Sequence, residues 1–156
     1  MRLAVCTAVI VLATAGVASA QTQPPSKSPA ASAACSFFTK EDAAAALGEA
    51  VSKGPNATAF PAGPSACDYE GSGVHHVQLT VRPMTPAEAA VYKGLCAQKK
   101  KDGLTGLGDV TCWYNDKHQE LHVLKGTTFY SIEIRRSGDP TAAIIAAAQK
   151  VYARVK

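Results

Sequence analysis

The chain has 156 residues, a formal net charge of +4 and 47% hydrophobic residues. That suffices for one domain of ordinary size with a core of its own. The positive excess is gathered in one short run, Lys99–Lys101, without the broad basic stripe and interleaved aromatics of a nucleic-acid binder, so no nucleic-acid partner is expected.

The chain opens with "MRLAVCTAVIVLATAGVASA". One positive charge at Arg2, an apolar run from Leu3 and a small-x-small close at Ala18-Ser19-Ala20 are the marks of a secretory signal peptide over 1–20. Cys6 sits too early, and among the wrong neighbours, to carry a lipid. No second hydrophobic stretch is long enough to cross a bilayer, so no membrane span is expected in the mature chain. Residues 21–34, "QTQPPSKSPAASAA", are rich in Pro, Ser and Ala and bury almost nothing, the composition of a disordered linker. Residues 35–156 form the expected single domain. The Ala-rich signal reads as bacterial and places the protein in the periplasm or outside the cell. The acceptor pattern at Asn56 is therefore discounted as a glycosylation site.

"TKEDAAAALG" predicts a helix capped by Thr39 and Asp42 and stopped by Gly48. "KGPNATAFPAGPSA" reads as loop from its composition. "CDYEG" reads as a short strand or turn arm. "HHVQLTVRP" is a strand in which Val77, Leu79 and Val81 alternate with His76, Gln78, Thr80 and Arg82. "TPAEAAVYKGLCAQKKK" predicts a helix with a capping box, Thr85 to Glu88, and Pro86 at its first position. Val91 and Leu95 share one face of it, with Cys96 beside them, and the lysines suit its C-terminal end.

The glycines of "GLTGLGD" follow that helix. Asp109 stands where a Walker loop needs Lys, and no third glycine completes a dinucleotide fingerprint. A strand, "DVTCWYN", comes next, so no helix N-terminus waits to hold a phosphate. Gly103 reads as a helix stop, and Gly106 and Gly108 as turn residues. "HQELHVLKGTTFYSIEIRR" reads as a hairpin turning at Lys125-Gly126, with Leu121, Val123, Tyr130, Ile132 and Ile134 on the apolar side. Asp139 and Pro140 then open a last helix. On it Ile144, Ala148, Val151, Tyr152 and Val155 share a face.

The segments "CSFFTKEDAAAALG", "CDYEG" and "GLGDVTCWYND", in this order around a strand and a second helix, resemble a group of small exported domains. The group includes actinobacterial secreted lipoproteins of unknown function and the extracellular sensor domain of a mycobacterial Ser/Thr kinase. The resemblance spans nearly all of residues 35–156, and "GLGD…W" is its most specific piece. This chain differs in having no lipid-bearing cysteine and no kinase. The resemblance implies an antiparallel sheet with helices on one face and no known catalytic centre.

From the residues themselves the order of helices and strands predicts an α+β fold, an antiparallel sheet with helices on one face. A weak repeat divides it into two similar halves, each with a cysteine near a helix and another on a strand. Four cysteines remain after the signal, with no C-x-x-C, so they suggest two structural disulfides. Of the three possible pairings, Cys35–Cys67 and Cys96–Cys112 keep each bridge within one half.

The chemistry-bearing residues are few. "HQELH" carries His118 and His122, but Gln119 stands where a zinc protease places Glu. On a strand, residues four apart lie roughly 13 Å from each other, too far to share one ion. No metal, no cofactor and no catalytic residue is therefore expected. Trp113 reads as core, with a binding role as its alternative. Strand alternation puts His76, Gln78, Thr80, Arg82, His118, Glu120, His122 and Phe129 on the sheet face away from the helices. His76, Arg82, Trp113, His118, Glu120 and His122 are thus the candidate ligand-binding residues. The plainer alternative is a wet sheet face without a role. The function expected is a non-enzymatic exported binding or interaction domain, with an unknown protein or a small polar molecule as partner. An inhibitor of a secreted enzyme, presenting an aromatic loop around Trp113 and Tyr114, a metal-binding periplasmic protein using His118 and His122, and an enzyme are the alternatives.

Overall fold

The computed structural model describes residues 33–60, 63–99 and 104–156. The expected signal peptide, most of the linker, the helix stop at Gly103, Lys100 and Lys101 lie outside the described residues. In chain order the elements are α1 (Ala33–Phe37), α2 (Lys40–Leu47), β1 (Lys53–Ala59), β2 (Ser65–Glu70), β3 (His76–Pro83), α3 (Pro86–Ala97), β4 (Val110–Trp113), β5 (Glu120–Lys125), β6 (Thr128–Arg135) and α4 (Thr141–Arg154). The strands form one six-stranded sheet, β1-β2-β3-β6-β5-β4. Every neighbouring pair is antiparallel, and the fold is α+β.

The helix ends follow from local chemistry. Thr39 caps α2, its hydroxyl accepting from the Asp42 N–H while the Asp42 carboxylate accepts from the Thr39 N–H. Gly48 ends α2 at φ 75°, the left-handed stop that costs glycine least. Thr85 and Glu88 repeat the capping box on α3. α4 starts one residue later than the sequence suggests. The Asp139 carboxylate still accepts from the Thr141 N–H at 2.9 Å. Gly108 is required where it stands: at φ 68° a Cβ would come within 2.5 Å of the Leu124 carbonyl oxygen.

Alternation along the strands builds the core. Val77, Leu79, Val81, Leu121, Val123, Tyr130, Ile132 and Ile134 are all buried, as their spacing predicts, and α1, α2 and α4 cover them. Buried hydroxyls are satisfied: Tyr69 donates to the Phe38 carbonyl and Tyr130 to the Ala148 carbonyl. Two disulfides, Cys35–Cys67 and Cys96–Cys112, tie α1 to β2 and α3 to β4, the pairing within halves expected above.

The structure departs from the sequence reading in further elements. α1 takes in Ala33 and Ala34 from the end of the segment read as linker, and Ala34 is fully buried. The segment read as loop from its Gly, Pro and Asn content contains β1. It is an edge strand, where Pro55 needs no ladder partner, and its register slips between Lys53 and Asn56. The hairpin turn falls one residue later than expected, at Gly126-Thr127, because Lys125 still pairs with Thr128. α3 does not join the other helices. It lies over the β4 end of the opposite sheet face, where Met84, Ala89 and Leu124 form a small second core with Tyr92 and Phe129.

Candidate functional site

The placement of α3 makes the site. Ala89, Tyr92 and Cys96 recur at helical spacing and turn inward, the last two onto His122 and Cys112. Val91 and Leu95, which share a face by their spacing, face solvent at 66% and 56% exposure. The disulfide decides this orientation, because Cys96 must reach β4 and fixes which side of the helix meets the sheet. Beyond the disulfide, the β4–β5 connection projects past the end of the sheet. Between it and the last turns of α3 runs a groove of about 800 Å³, walled by Tyr92, Leu95, Lys99, Trp113, Tyr114 and His122.

The groove wall is held from several sides. The Tyr92 hydroxyl lies 2.5 Å from Nδ1 of His122, and Nε2 of His122 lies 2.8 Å from the Glu120 carboxylate. With Nε2–H donating to Glu120, Nδ1 is left to accept from Tyr92. Burial, then the Glu120 charge, pushes the Tyr92 phenol well above its ordinary range, so it stays protonated and donates. The His122 hydrogen bond holds the Glu120 carboxyl below its ordinary value against the opposing effect of burial. Tyr114, Tyr92 and Phe129 all pack their rings near the His122 ring. Lys99 donates to the Tyr114 carbonyl at 3.0 Å and lies over its ring.

The connection itself is ordered by its own side chains. The Asn115 carboxamide oxygen accepts from the Lys117 N–H. His118, the one described non-glycine residue at positive φ (51°), stacks on Trp113 with centroids 4.6 Å apart. Trp113 is 1% exposed and belongs to the main core, though its edge reaches the groove. Tyr114 is half exposed at the rim.

The six residues nominated from sequence therefore do not form one surface. Trp113 and His122 line the groove, and Glu120 is tied to it through its bond to His122. His118 leaves the sheet face, because β5 begins only at Glu120. Arg82 stays on the sheet face but sits on the other flank of α3, 4.0 Å from Glu88, in a smaller cleft of about 380 Å³. His76 lies at the opposite end of the face, 4.0 Å from Glu133. His122 and Phe129, expected in solvent, are half-buried under α3. Tyr92, Leu95 and Lys99 were missed as site residues, and Tyr114 was named only for the inhibitor alternative. The signal that could have found the first was Cys96, since residues three and four positions apart from it on the inner stripe include Tyr92.

The rest of the outer face is polar. Asp68, Gln78, Glu133 and Glu120 stand in one row across four strands. Glu120 and Glu133 are directly opposed like charges. His122 bonds the first and Arg135, at 2.6 Å, the second. No group of three or more His, Cys, Asp or Glu among the described residues is placed to hold a metal ion. No described helix is long and apolar enough to cross a membrane. No family model, no curated protein and no solved structure matches the chain.

Proposed function

We propose that the chain is an exported, non-enzymatic binding domain of the bacterial periplasm or exterior, and that the groove beside α3 is its working site. The observation that carries this is the groove itself. Its wall of aromatic and aliphatic side chains is fixed in place by a disulfide and by the Tyr92–His122–Glu120 chain. Pre-formed concave sites with apolar walls and a few placed polar groups are where ligands bind. Export is supported by the signal-like first twenty residues and by two disulfides in a small domain.

The Tyr92–His122–Glu120 chain superficially resembles a nucleophile with its base and orienting acid. Its electrostatics argue against that use. The phenol is driven away from ionisation, and both imidazole nitrogens are already bonded. The chain serves better as a rigid wall than as a nucleophile. A second reading, an inhibitor of a secreted enzyme, is favoured by Tyr114, which stands half exposed on a connection braced by Asn115 and by the His118–Trp113 stack.

The test is affinity capture from the exported fraction of the source cells, with wild type and a Leu95→Asp/Tyr114→Ala variant. Both changes fall on exposed side chains, so the variant should fold. The proposal expects one partner, captured by wild type and lost by the variant. Partners retained equally by both would remove the groove from consideration. A secreted enzyme inhibited by wild type only would select the inhibitor reading.

A further inference from the structure

We infer a second binding site, for a small oxyanion, in the notch between the β2–β3 turn and the β6–α4 turn. It lies at the other end of the molecule's polar face and does not depend on the groove. The notch is a cavity of about 560 Å³ whose polar lining consists of His75, His76, Gln119, Arg135, Arg136 and Ser137. No carboxylate lines it, which is unusual on a face that carries a row of acidic residues.

The donors converge because three elements meet there. Arg135 ends β6 beside His76 at the start of β3, its register partner. Arg136 and Ser137 open the turn into α4. Gln119 precedes β5, and its carbonyl accepts from the Ile134 N–H. Arg136 is pre-positioned, since Nη1 donates to the Ala46 carbonyl at 3.0 Å and Nη2 approaches that of Asp139 at 3.4 Å. Each of these nitrogens carries a second hydrogen. Arg135 spends Nε on Glu133 and keeps the two remaining nitrogens of its fork, with the side chain 62% exposed. Nε2 of His75 accepts from the Ser137 N–H, while Nδ1 lies 2.9 Å from Glu49. This fixes the turn that carries Ser137.

Three acids stand nearby, and two of them bond residues of the notch itself: Glu49 meets Ser72 and Nδ1 of His75, Glu133 meets Nε of Arg135 and lies 4.0 Å from His76, and Asp139 is held by Thr141. They temper the field and leave the outer nitrogens of Arg135 and the second hydrogens of Arg136. Two guanidinium groups with the His76 imidazole and the Gln119 amide around one notch match a phosphate, a sulfate or a carboxylate group. The site is open and partly compensated, so binding in the millimolar range is expected.

The experiment is an amide-resolved NMR titration of the folded protein with sodium phosphate, sulfate and acetate in separate arms, at ionic strength held constant with sodium chloride. The inference expects saturable shifts at Val74–His76, Gln119 and Arg135–Ser137. It expects binding about tenfold weaker in Arg135→Gln/His76→Gln and unchanged in Lys117→Gln, an exposed cation elsewhere. Phosphate and sulfate binding without acetate would assign tetrahedral oxyanions, and all three together would assign oxyanions generally. Shifts that never saturate, that scatter over other cations, or that survive in the double variant would overturn it. Unchanged shifts outside the notch in the double variant show that it has folded.

Discussion

Asp42 is a buried carboxylate that works both at a cap and between two cations. It closes the α2 capping box and also meets Arg154 and Lys150 of α4, joining the two helices above the sheet. Burial alone would raise its pKa. The hydrogen bonds from Arg154, the Thr39 N–H and Lys150 outweigh burial and hold it well below its ordinary value of 3.8. A depressed folded pKa contributes stability that is fully present above the unfolded value and lost as pH falls through the folded one. The midpoint of denaturant unfolding should therefore hold from neutral pH to about pH 4 and drop below it. Asp42→Asn should cost about 2 kcal/mol at neutral pH, since both cations are themselves partly exposed, and should flatten the acid limb. An acid limb as steep as that of wild type would show that another carboxylate is responsible. The capping role of Asp42 was legible in its spacing from Thr39, whereas its ion pairs join residues more than a hundred positions apart and were not. His118 and His122 show the same limit. Their spacing was read as two positions on one strand, whereas β5 begins only at Glu120 and leaves His118 in the connection before it.

Among the elements, α3 is the most informative, because its capping box reads plainly and its orientation does not. Apolar spacing grouped Val91 and Leu95 on one face without saying where it points, and the disulfide turns the helix so that small Ala89 lies beneath it instead. Periodicity identifies a helix and ranks its faces by hydrophobicity. It cannot register a covalent tie to a strand sixteen residues further on. Leu95→Asp should accordingly change stability by no more than about 0.5 kcal/mol, as for most exposed positions. Ala89→Leu, forced into the small core with Met84 and Leu124, should cost about 1–3 kcal/mol. Chemical denaturation of the two variants measures both values, and a reversed order would mean that α3 packs through its other face. β1 failed for the opposite reason. Its glycine, proline and asparagine are poor strand formers, and an edge position with an irregular register tolerates them.

For the whole molecule, the strand alternation specified the share of the core that β3, β5 and β6 contribute. One face of β3, β5 and β6 had to be buried, and a slip of a single residue would have exposed all of it. The strand order β1-β2-β3-β6-β5-β4 keeps the first three strands together and the last three together. The bridges differ, however: one reaches an interior strand and the other an edge strand, with their helices on opposite faces. The two-halves reading of the sequence thus remains a proposal. The groove was not legible, since it depends on where α3 sits and on a connection that extends beyond the sheet. What was legible was part of its chemistry, in Trp113, Glu120 and His122. The central claim is that this groove holds a ligand or partner of an exported protein. Native mass spectrometry of the chain recovered from the exported fraction of its own cells tests it most directly, with the Leu95→Asp/Tyr114→Ala variant alongside. The account predicts a mature chain beginning at Gln21 with both disulfides intact, carrying a bound mass that the variant lacks. A bare wild-type chain, or a bound mass that the variant retains, would contradict it.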